Sequence, residues 1–377
     1  MTSLNGIRVL DLSAVFPFPM AAAYLADLGA DVIKIENPRL PDPSRKMGSP
    51  SGSTHDGSIF VLANRNKRCL SLNLKRPRGM EVFKKLLANT DVLIESFLPG
   101  TTSRLGITYD DLRDSFPRLV YCHGSPYGYG QSSRPAHEIN IAAEAGLIAT
   151  TGTASTPVPP GFQPSDVAGA FCAVGGILAA LLARHQTGRG QFVNASLFDG
   201  AMSMLSLVAA EHLAGGNTDR GKMDVSGMAP GYRVYQTREG FIALGTLEDA
   251  AYEKFLNYID RKHIKNMPEE SQIAELSRYF LDCDSSSIQR LIDAELLVSR
   301  VNSVAEAMTS ARLRTPTLLQ RMPQGGETLG APFHLSETPV SIRSGVPERG
   351  EHTRDILKTL GYSQAEYEEL QNEGVVA

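Results

Sequence analysis

A chain of 377 residues is too long for one ordinary hydrophobic core, so length alone predicts about two domains. Its 42% hydrophobic and 21% charged residues are typical of a globular protein, and a net charge of -4 provides no broad positive field for nucleic acid or an anionic membrane. The four cysteines (Cys69, Cys122, Cys172, Cys283) have no CxxC spacing, which predicts neither a disulfide framework nor a zinc site and favours a reducing cytoplasm.

The first half of the chain alternates short β-rich runs with helical patterns, which is typical of a parallel sheet covered by helices. The predicted strands are Ile7 to Leu12, Asp31 to Glu36, Cys69 to Leu74, Asp91 to Ser96, Arg118 to His123 and Phe192 to Leu197, and predicted helices include Pro19 to Leu28 and Arg78 to Leu87. Val167 to Arg184 is apolar almost all round, which predicts a buried helix. Because the apolar stretch is short for a membrane span and no charged-then-apolar leader precedes Ile7, neither insertion nor export is expected.

The second half predicts a different unit. Asp199 to Leu213 predicts one long helix leaving the first domain, Gly231 to Gln236 and Phe241 to Leu247 predict a strand pair, and Thr353 to Leu360 predicts a helix that docks back on the first domain. The predicted organisation is a large domain at 1–198, a linker helix at 199–225, a small domain at 226–320 and a return segment at 321–377.

The opening strand, turn and helix have the outline of a dinucleotide-binding unit, with Glu36 at the end of the second strand. The turn itself lacks the glycines that dinucleotide binding needs. Residues 13–19 read SAVFPFP, with no glycine to let a pyrophosphate approach the backbone. The sequence therefore argues against NAD or FAD.

Two segments are candidates for holding a phosphorylated ligand. Arg65, Lys67 and Arg68 form a cationic run just ahead of a predicted strand, where they are suited to gripping phosphates, although such a run is more often a solvated surface. The segment with Phe97 and Arg104 follows the next strand and is suited to forming a wall for the same ligand, although taken alone it predicts only a tight turn.

Three side chains are candidates for acid/base chemistry. His137 and Asp166 each stand at the edge of an apolar segment, and a histidine with a carboxylate suits proton transfer at a carbon acid. Each also has a structural interpretation: His137 as a capped or core histidine, Asp166 and Glu248 as helix N-caps. For Asp166 the two roles are compatible, because the helix dipole and free N–H groups would hold the carboxylate ionised and would also receive an oxyanion.

At these positions the sequence resembles the class III CoA-transferase superfamily, of the carnitine and bile-acid CoA-transferase type. The similar segments occur in family order and span nearly the whole chain: GIRVLDL, YLADLGADVIKIE, NRNKR, ESF-PG-RLG, RPAHEIN, SDVAGA, GGILAALLARHQTGRGQ and GEHTRDILKTLGY. The resemblance implies a large Rossmann-like α/β domain with a parallel sheet built from both chain ends, a smaller α+β domain, and an interlocked homodimer. It also implies an acyl-CoA substrate held by Arg65, Lys67, Arg68, Phe97 and Arg104.

Within the superfamily, the histidine and asparagine of His137-Glu138-Ile139-Asn140 resemble the α-methylacyl-CoA racemase branch. That branch implies epimerisation of 2-methyl-branched or 2-aryl acyl-CoA through an enolate, with His137 oriented by Glu248 and Asp166 on the opposite face. N–H groups at the start of the Val167 helix would receive the enolate oxygen. CoA enters as part of the substrate, and neither a metal nor another cofactor is required.

Two alternatives remain open. In a CoA-transferase, Asp166 would instead attack the acyl-CoA and become acylated. A non-catalytic CoA-binding relative would catalyse neither epimerisation nor CoA transfer. Three features depart from the racemase pattern: Glu138 replaces an aspartate, Leu98 replaces an arginine expected at CoA, and the turn at 16–19 lacks glycine.

Overall fold

The computed structural model describes residues 2–50, 55–153, 155–220, 223, 227–313 and 318–377. The chain divides into two compact units: unit 1 comprises Met1–Ala145, Gly161–Met204 and Ala311–Ala377, and unit 2 comprises Gly146–Pro160 and Leu205–Ser310. Unit 1 therefore draws on both ends of the chain. The division differs from the predicted one in assigning residues 146–160 and 205–225 to unit 2 and residues 199–204 and 311–320 to unit 1.

Unit 1 is built on a six-stranded sheet in the order β3-β2-β1-β4-β5-β6, in which every pair is parallel. This confirms the predicted mixed α/β fold with a parallel sheet. Strands such as DVIKIE and VLIE are buried on both faces, which explains their nearly continuous apolar runs. The strands of this sheet are β1 Arg8–Asp11, β2 Asp31–Glu36, β3 Lys67–Ser71, β4 Val92–Glu95, β5 Val120–Ser125 and β6 Phe192–Ser196.

Helices lie between the strands along the chain in both units. Those of the first half are α1 Phe18–Asp27, α2 Ser58–Asn64, α3 Pro77–Leu87, α4 Thr101–Leu105, α5 Tyr109–Leu112, α6 Glu138–Glu144, α7 Leu147–Thr150 and α8 Pro164–Thr187. Those that follow are α9 Leu197–Met204, α10 Ser206–Leu213, α11 Asp249–Tyr258, α12 Glu269–Asp282, α13 Ser285–Asp293, α14 Val304–Thr309, α15 Thr353–Thr359 and α16 Gln364–Asn372. The C-terminal helices pack on the sheet: Ile356, Leu357, Leu370 and Val375 lie in one buried cluster with Leu10 and Leu70.

Helix α8 corrects the prediction that this segment is buried all round. Ala170, Ala173 and Ile177 are fully buried, but Leu182 on another face is 67% exposed. The helix is also longer than predicted and, by length and composition alone, is apolar enough to cross a membrane. Its buried face packs against α1, β5 and β6, as in a core helix of a globular unit.

The predicted long helix after Asp199 is two helices, α9 and α10, interrupted at Leu205. None of the residues of α10 is buried. Part of the predicted linker, at 221, 222 and 224–226, lies outside the described residues.

Unit 2 contains a three-stranded antiparallel sheet in the order β7-β8-β9. Its strands are β7 Tyr232–Thr237, β8 Gly240–Gly245 and β9 Val298–Arg300, and the β7–β8 pairing confirms the predicted hairpin. Its core joins Tyr235, Leu244, Phe255 and Phe280 from the sheet and helices α11 and α12. A further pair, β10 Leu319–Arg321 and β11 Glu327–Leu329, belongs to unit 1.

Candidate functional site

A cavity of about 210 Å³ lies in unit 1 at the carboxyl ends of β1, β2, β3 and β4, and we call it the strand-end cavity. Its walls include Leu12 after β1, Asn37 after β2, Leu72 after β3 and Phe97 after β4. The strand order reverses between β1 and β4, and ligands of open α/β sheets bind in the crevice at such a point. The cavity thus occupies the position where this fold binds its ligand.

The cavity combines apolar walls with cations at its rim. Phe97, a predicted site residue, is half-buried and lines it. Arg104 is exposed on α4, between the lining residues Thr101 and Leu105, and donates a hydrogen bond of 2.9 Å to the Thr101 hydroxyl. Lys75, which the sequence reasoning missed, lines the cavity and is exposed. This combination suits a ligand with one flat apolar part and several phosphates.

Buried charges form the floor of the cavity. Lys34 pairs with Asp42 at 2.8 Å and donates to the carbonyl of Ser13 at 3.0 Å. Burial acts to raise the pKa of Asp42, but the Lys34 charge and hydrogen bonds outweigh it and hold that pKa at about 2. Glu36 is paired at 2.6 Å with Arg45 in the same way. Because these charges are mutually satisfied, the floor is fixed before any ligand arrives.

The cationic run does not face this cavity, and two of its members correct the prediction. Arg65 is fully buried and its guanidinium pairs with Asp27 at 2.6 Å. Lys67 is 2% exposed and its ammonium bonds to Asp11 at 2.7 Å and to the amide oxygen of Asn64 at 2.9 Å. Both positive charges are paired with buried carboxylates, so neither side chain is exposed to bind phosphates.

Arg68 fails to face the cavity for a different reason. Strand β3 begins at Lys67, two residues before the predicted start, so Arg68 lies near the amino end of the strand. There its guanidinium bonds to both oxygens of Asp31, at 2.7 and 2.8 Å, close to the start of β2. The strand-end cavity opens at the opposite edge of the sheet.

We therefore expect CoA binding to depend on Lys75 and Arg104 rather than on Arg68. A charge-assisted contact is worth on the order of 1.5 to 3 kcal/mol, so replacing both with alanine should weaken CoA binding by more than about tenfold in a calorimetric titration. Arg68→Ala and Lys84→Ala, the latter an exposed cation on α3, are the matched controls. A larger loss with Arg68→Ala than with the double variant would restore the cationic run as the phosphate site.

A second group of candidate site residues lies at the start of α8. Asp166 is in the first turn and is partly exposed. Both oxygens of the Glu138 carboxylate accept bonds from this turn: Oε1 from the Ser165 N–H at 3.2 Å and hydroxyl at 3.0 Å, and Oε2 from the Asp166 N–H at 2.8 Å. The next N–H, of Val167, donates to the carbonyl of Gln163 at 3.1 Å. These contacts correct the prediction that the N–H groups of this turn are free to receive an oxyanion.

The electrostatics of Asp166 also differ from the prediction. A helix N-terminus normally favours an ionised carboxylate. Here burial raises the pKa of Asp166 to about 7, and the nearby charge of Glu138 acts in the same direction. Asp166 is therefore neither fully ionised nor fully protonated at neutral pH, which is the condition that suits a general acid/base.

His137 immediately precedes Glu138 and is exposed. It occupies the N-cap position of α6 with an extended backbone, and its N–H donates to the side-chain oxygen of Asn140 at 3.1 Å. The His137 imidazole therefore lies on the same turn as Glu138, whose carboxylate bonds to the start of α8. His137 is the chain neighbour of Glu138, and Asp166 bonds to Glu138 through its backbone N–H.

Glu248 belongs to unit 2, where it occupies the N-cap position of α11 after β8 and is exposed. Its backbone is extended, and its side chain makes no cap hydrogen bond. The predicted contact between Glu248 and His137 stays a prediction.

Among the described ranges, no group of three or more His, Cys, Asp or Glu side chains is arranged to hold a metal ion.

Comparison with known proteins identifies the family. The model of CoA-transferase family III matches residues 4–353. The chain belongs to CoA-transferase family III.

Family III relatives of this chain include both transferases and a racemase. Succinyl-CoA:glutarate CoA-transferase of Mus musculus is 31% identical, over 100% of this chain and 91% of that protein. Alpha-methylacyl-CoA racemase of Homo sapiens is 29% identical, over 99% of this chain and 97% of that protein. A CAIB/BAIF family protein from Brucella suis has the same fold, with a TM-score of 0.84 and 24% identity over 95% of this chain and 99% of that one.

Proposed function

We propose that the protein exchanges and inverts the α-proton of a 2-methyl-branched or 2-aryl acyl-CoA. The observation that carries this proposal is the site at the start of α8, where Asp166 has a pKa raised to about 7, chiefly by burial, and His137 stands on the adjoining turn. Two acid/base groups beside one carbon are what epimerisation requires. Family III membership supports an acyl-CoA substrate.

In the proposed reaction, one base removes the α-proton of the thioester and the electrons move onto the carbonyl oxygen as an enolate. The opposite group then donates a proton to the other face of the carbon. Asp166 serves one face and His137 the other, with Glu248 orienting His137 as the resemblance implies. Because Glu138 occupies the first donors of α8, we assign the enolate oxygen to the N–H groups of Glu138 and Ile139, which donate to no partner within the described residues.

The CoA portion would lie in the strand-end cavity, with Phe97 against its base and Lys75 and Arg104 on its phosphates. The proposed reaction needs only protein groups and the thioester, so no CoA is required beyond that of the substrate.

We also propose a homodimer, because Leu182 on α8 and Leu207 and Leu213 on α10 are 67%, 73% and 85% exposed, and a second copy would cover such apolar surfaces. A cytoplasmic location remains a prediction from the four free cysteines.

CoA transfer is the second candidate, and the names of the relatives favour it: the Mus musculus relative and a Streptomyces avermitilis relative, 31% identical over 99% of this chain, are CoA-transferases. Asp166 would attack the thioester carbonyl, release CoA thiolate and form a mixed anhydride. CoA thiolate would then convert that anhydride to an aspartyl-CoA thioester and free the donor acid. The acceptor carboxylate would attack this thioester, release CoA thiolate and form a second anhydride, from which CoA thiolate would take the acceptor acyl group and free Asp166.

A single epimer of a 2-methylacyl-CoA incubated in deuterium oxide tests the proposal. We expect deuterium at the α-carbon and appearance of the other epimer, both followed by NMR. Several branched and aryl substrates are used because the acyl chain is unassigned. Absence of both label and epimer from all of them, with CoA transfer to an added acid, would replace the first candidate with the second.

A further inference from the structure

We propose that Glu138 is a positioning residue for Asp166: by bonding to the first turn of α8 it fixes the Asp166 carboxyl group and keeps it available as a proton donor. This inference rests on the proposed function and deepens it. It assigns a role to a residue that resemblance marks only as a departure from the racemase pattern.

The geometry is that of a clamp between two helices. Glu138 is the first residue of α6, and its side chain reaches 27 and 28 residues along the chain to Ser165 and Asp166. Each carboxylate oxygen takes a separate backbone N–H, and one also takes the Ser165 hydroxyl. Three bonds on both oxygens allow the carboxylate little rotation, and they orient the backbone that carries Asp166.

The charge of Glu138 and its bonds to the first turn of α8 both disfavour ionisation of Asp166. An unoccupied helix N-terminus would stabilise ionised Asp166, but Glu138 takes those donors and adds a negative charge of its own. On the helices packed against α8, Asp27 of α1 pairs with Arg65. Burial and the charge of Asp199 on α9 raise the pKa of Cys172. On α6, Glu144 pairs with Arg134. Burial and Glu138 are the causes of the raised pKa of Asp166.

The consequence is a carboxyl group that can work in both directions of an epimerisation. With a pKa near 7, Asp166 donates a proton to one epimer's enolate and removes one from the other without leaving neutral pH. A fully ionised Asp166 would serve as a base only.

Two substitutions separate the charge of Glu138 from its reach. Glu138→Gln keeps the length and removes the charge, so the Asp166 pKa should fall and the acid limb of the kcat/KM profile should move to lower pH by about one unit. Glu138→Asp keeps the charge and shortens the reach, so kcat should fall while the acid limb stays within a few tenths of its original pH. Glu144→Gln, the same substitution on the same helix, is the control and should change neither.

A readout independent of activity distinguishes failure of this inference from failure of the proposed function. The carboxyl ¹³C signal of Asp166, assigned as the one lost in Asp166→Asn, is titrated in the parent protein and in each Glu138 variant. We expect a midpoint near 7 that falls in Glu138→Gln and not in Glu138→Asp. An unchanged midpoint in Glu138→Gln would overturn the role of Glu138, whereas a shifted midpoint in a protein without proton exchange would overturn only the reaction.

Discussion

Replacement of Asp166 by asparagine is expected to lower epimerisation by roughly 10² to 10⁴-fold, the usual contribution of a general acid/base. Asparagine preserves the size of the side chain but cannot carry the proton, so the substrate still binds and the exchange stops. The initial rate of epimer formation and the affinity for CoA are measured together. His137→Ala should produce a loss in the same range.

Asp199→Asn is the matched control, because Asp199 is an exposed carboxylate on the neighbouring helix α9. It should keep nearly full activity. Because two bases serve opposite faces, Asp166→Asn and His137→Ala should each also lose deuterium incorporation from one epimer more than from the other. Full epimerisation by Asp166→Asn would show that Asp166 carries no proton in the reaction.

Replacement of Lys67 by alanine is expected to destabilise the protein by about 3 to 5 kcal/mol, because it leaves the buried carboxylate of Asp11 without its partner. Asp11 and Lys67 are 0% and 2% exposed, and their side chains meet at 2.7 Å. Burial outweighs the attraction of Asp11 and lowers the pKa of Lys67 to about 8, so the Lys67 ammonium is still charged at pH 7. Urea unfolding followed by circular dichroism measures the free-energy change.

The double variant Asp11→Asn with Lys67→Met removes both charges and should cost less than the sum of the single variants. Lys84→Ala on exposed α3 should change stability by less than about 0.5 kcal/mol. If Lys67→Ala lost CoA affinity without losing stability, Lys67 would belong to the binding site as first predicted from the sequence.

The parallel sheet was predictable because strands buried on both faces leave continuous apolar runs such as Val92 to Ile94. The start of β3 was not predictable from local sequence. Lys67 and Arg68 resemble a polar approach to a strand, yet they lie within it because Asp11 and Asp31, distant in sequence, pair with them. The break at Leu205 and the exposed face of α8 likewise carry no signal in apolar periodicity.

The sequence also located His137 and Asp166, because acid/base residue types at element edges are visible without a structure. The grip of Glu138 on Ser165 and Asp166 was not visible, because it joins positions separated by 27 and 28 residues. Lys75 had a weak signal: it is the first cation after the carboxyl end of β3, where ligands approach a parallel sheet.

The measurement that tests the central claim most directly asks whether the Asp166 carboxylate ever becomes covalently bound. The protein is incubated with a 2-methylacyl-CoA and several acceptor acids, and the reaction is quenched and treated with hydroxylamine. The peptide carrying Asp166 is then analysed by mass spectrometry. Proton exchange predicts an unmodified peptide from a sample that has epimerised its substrate. A hydroxamate at Asp166, together with CoA transfer that persists in His137→Ala, would contradict the account and establish Asp166 as a nucleophile.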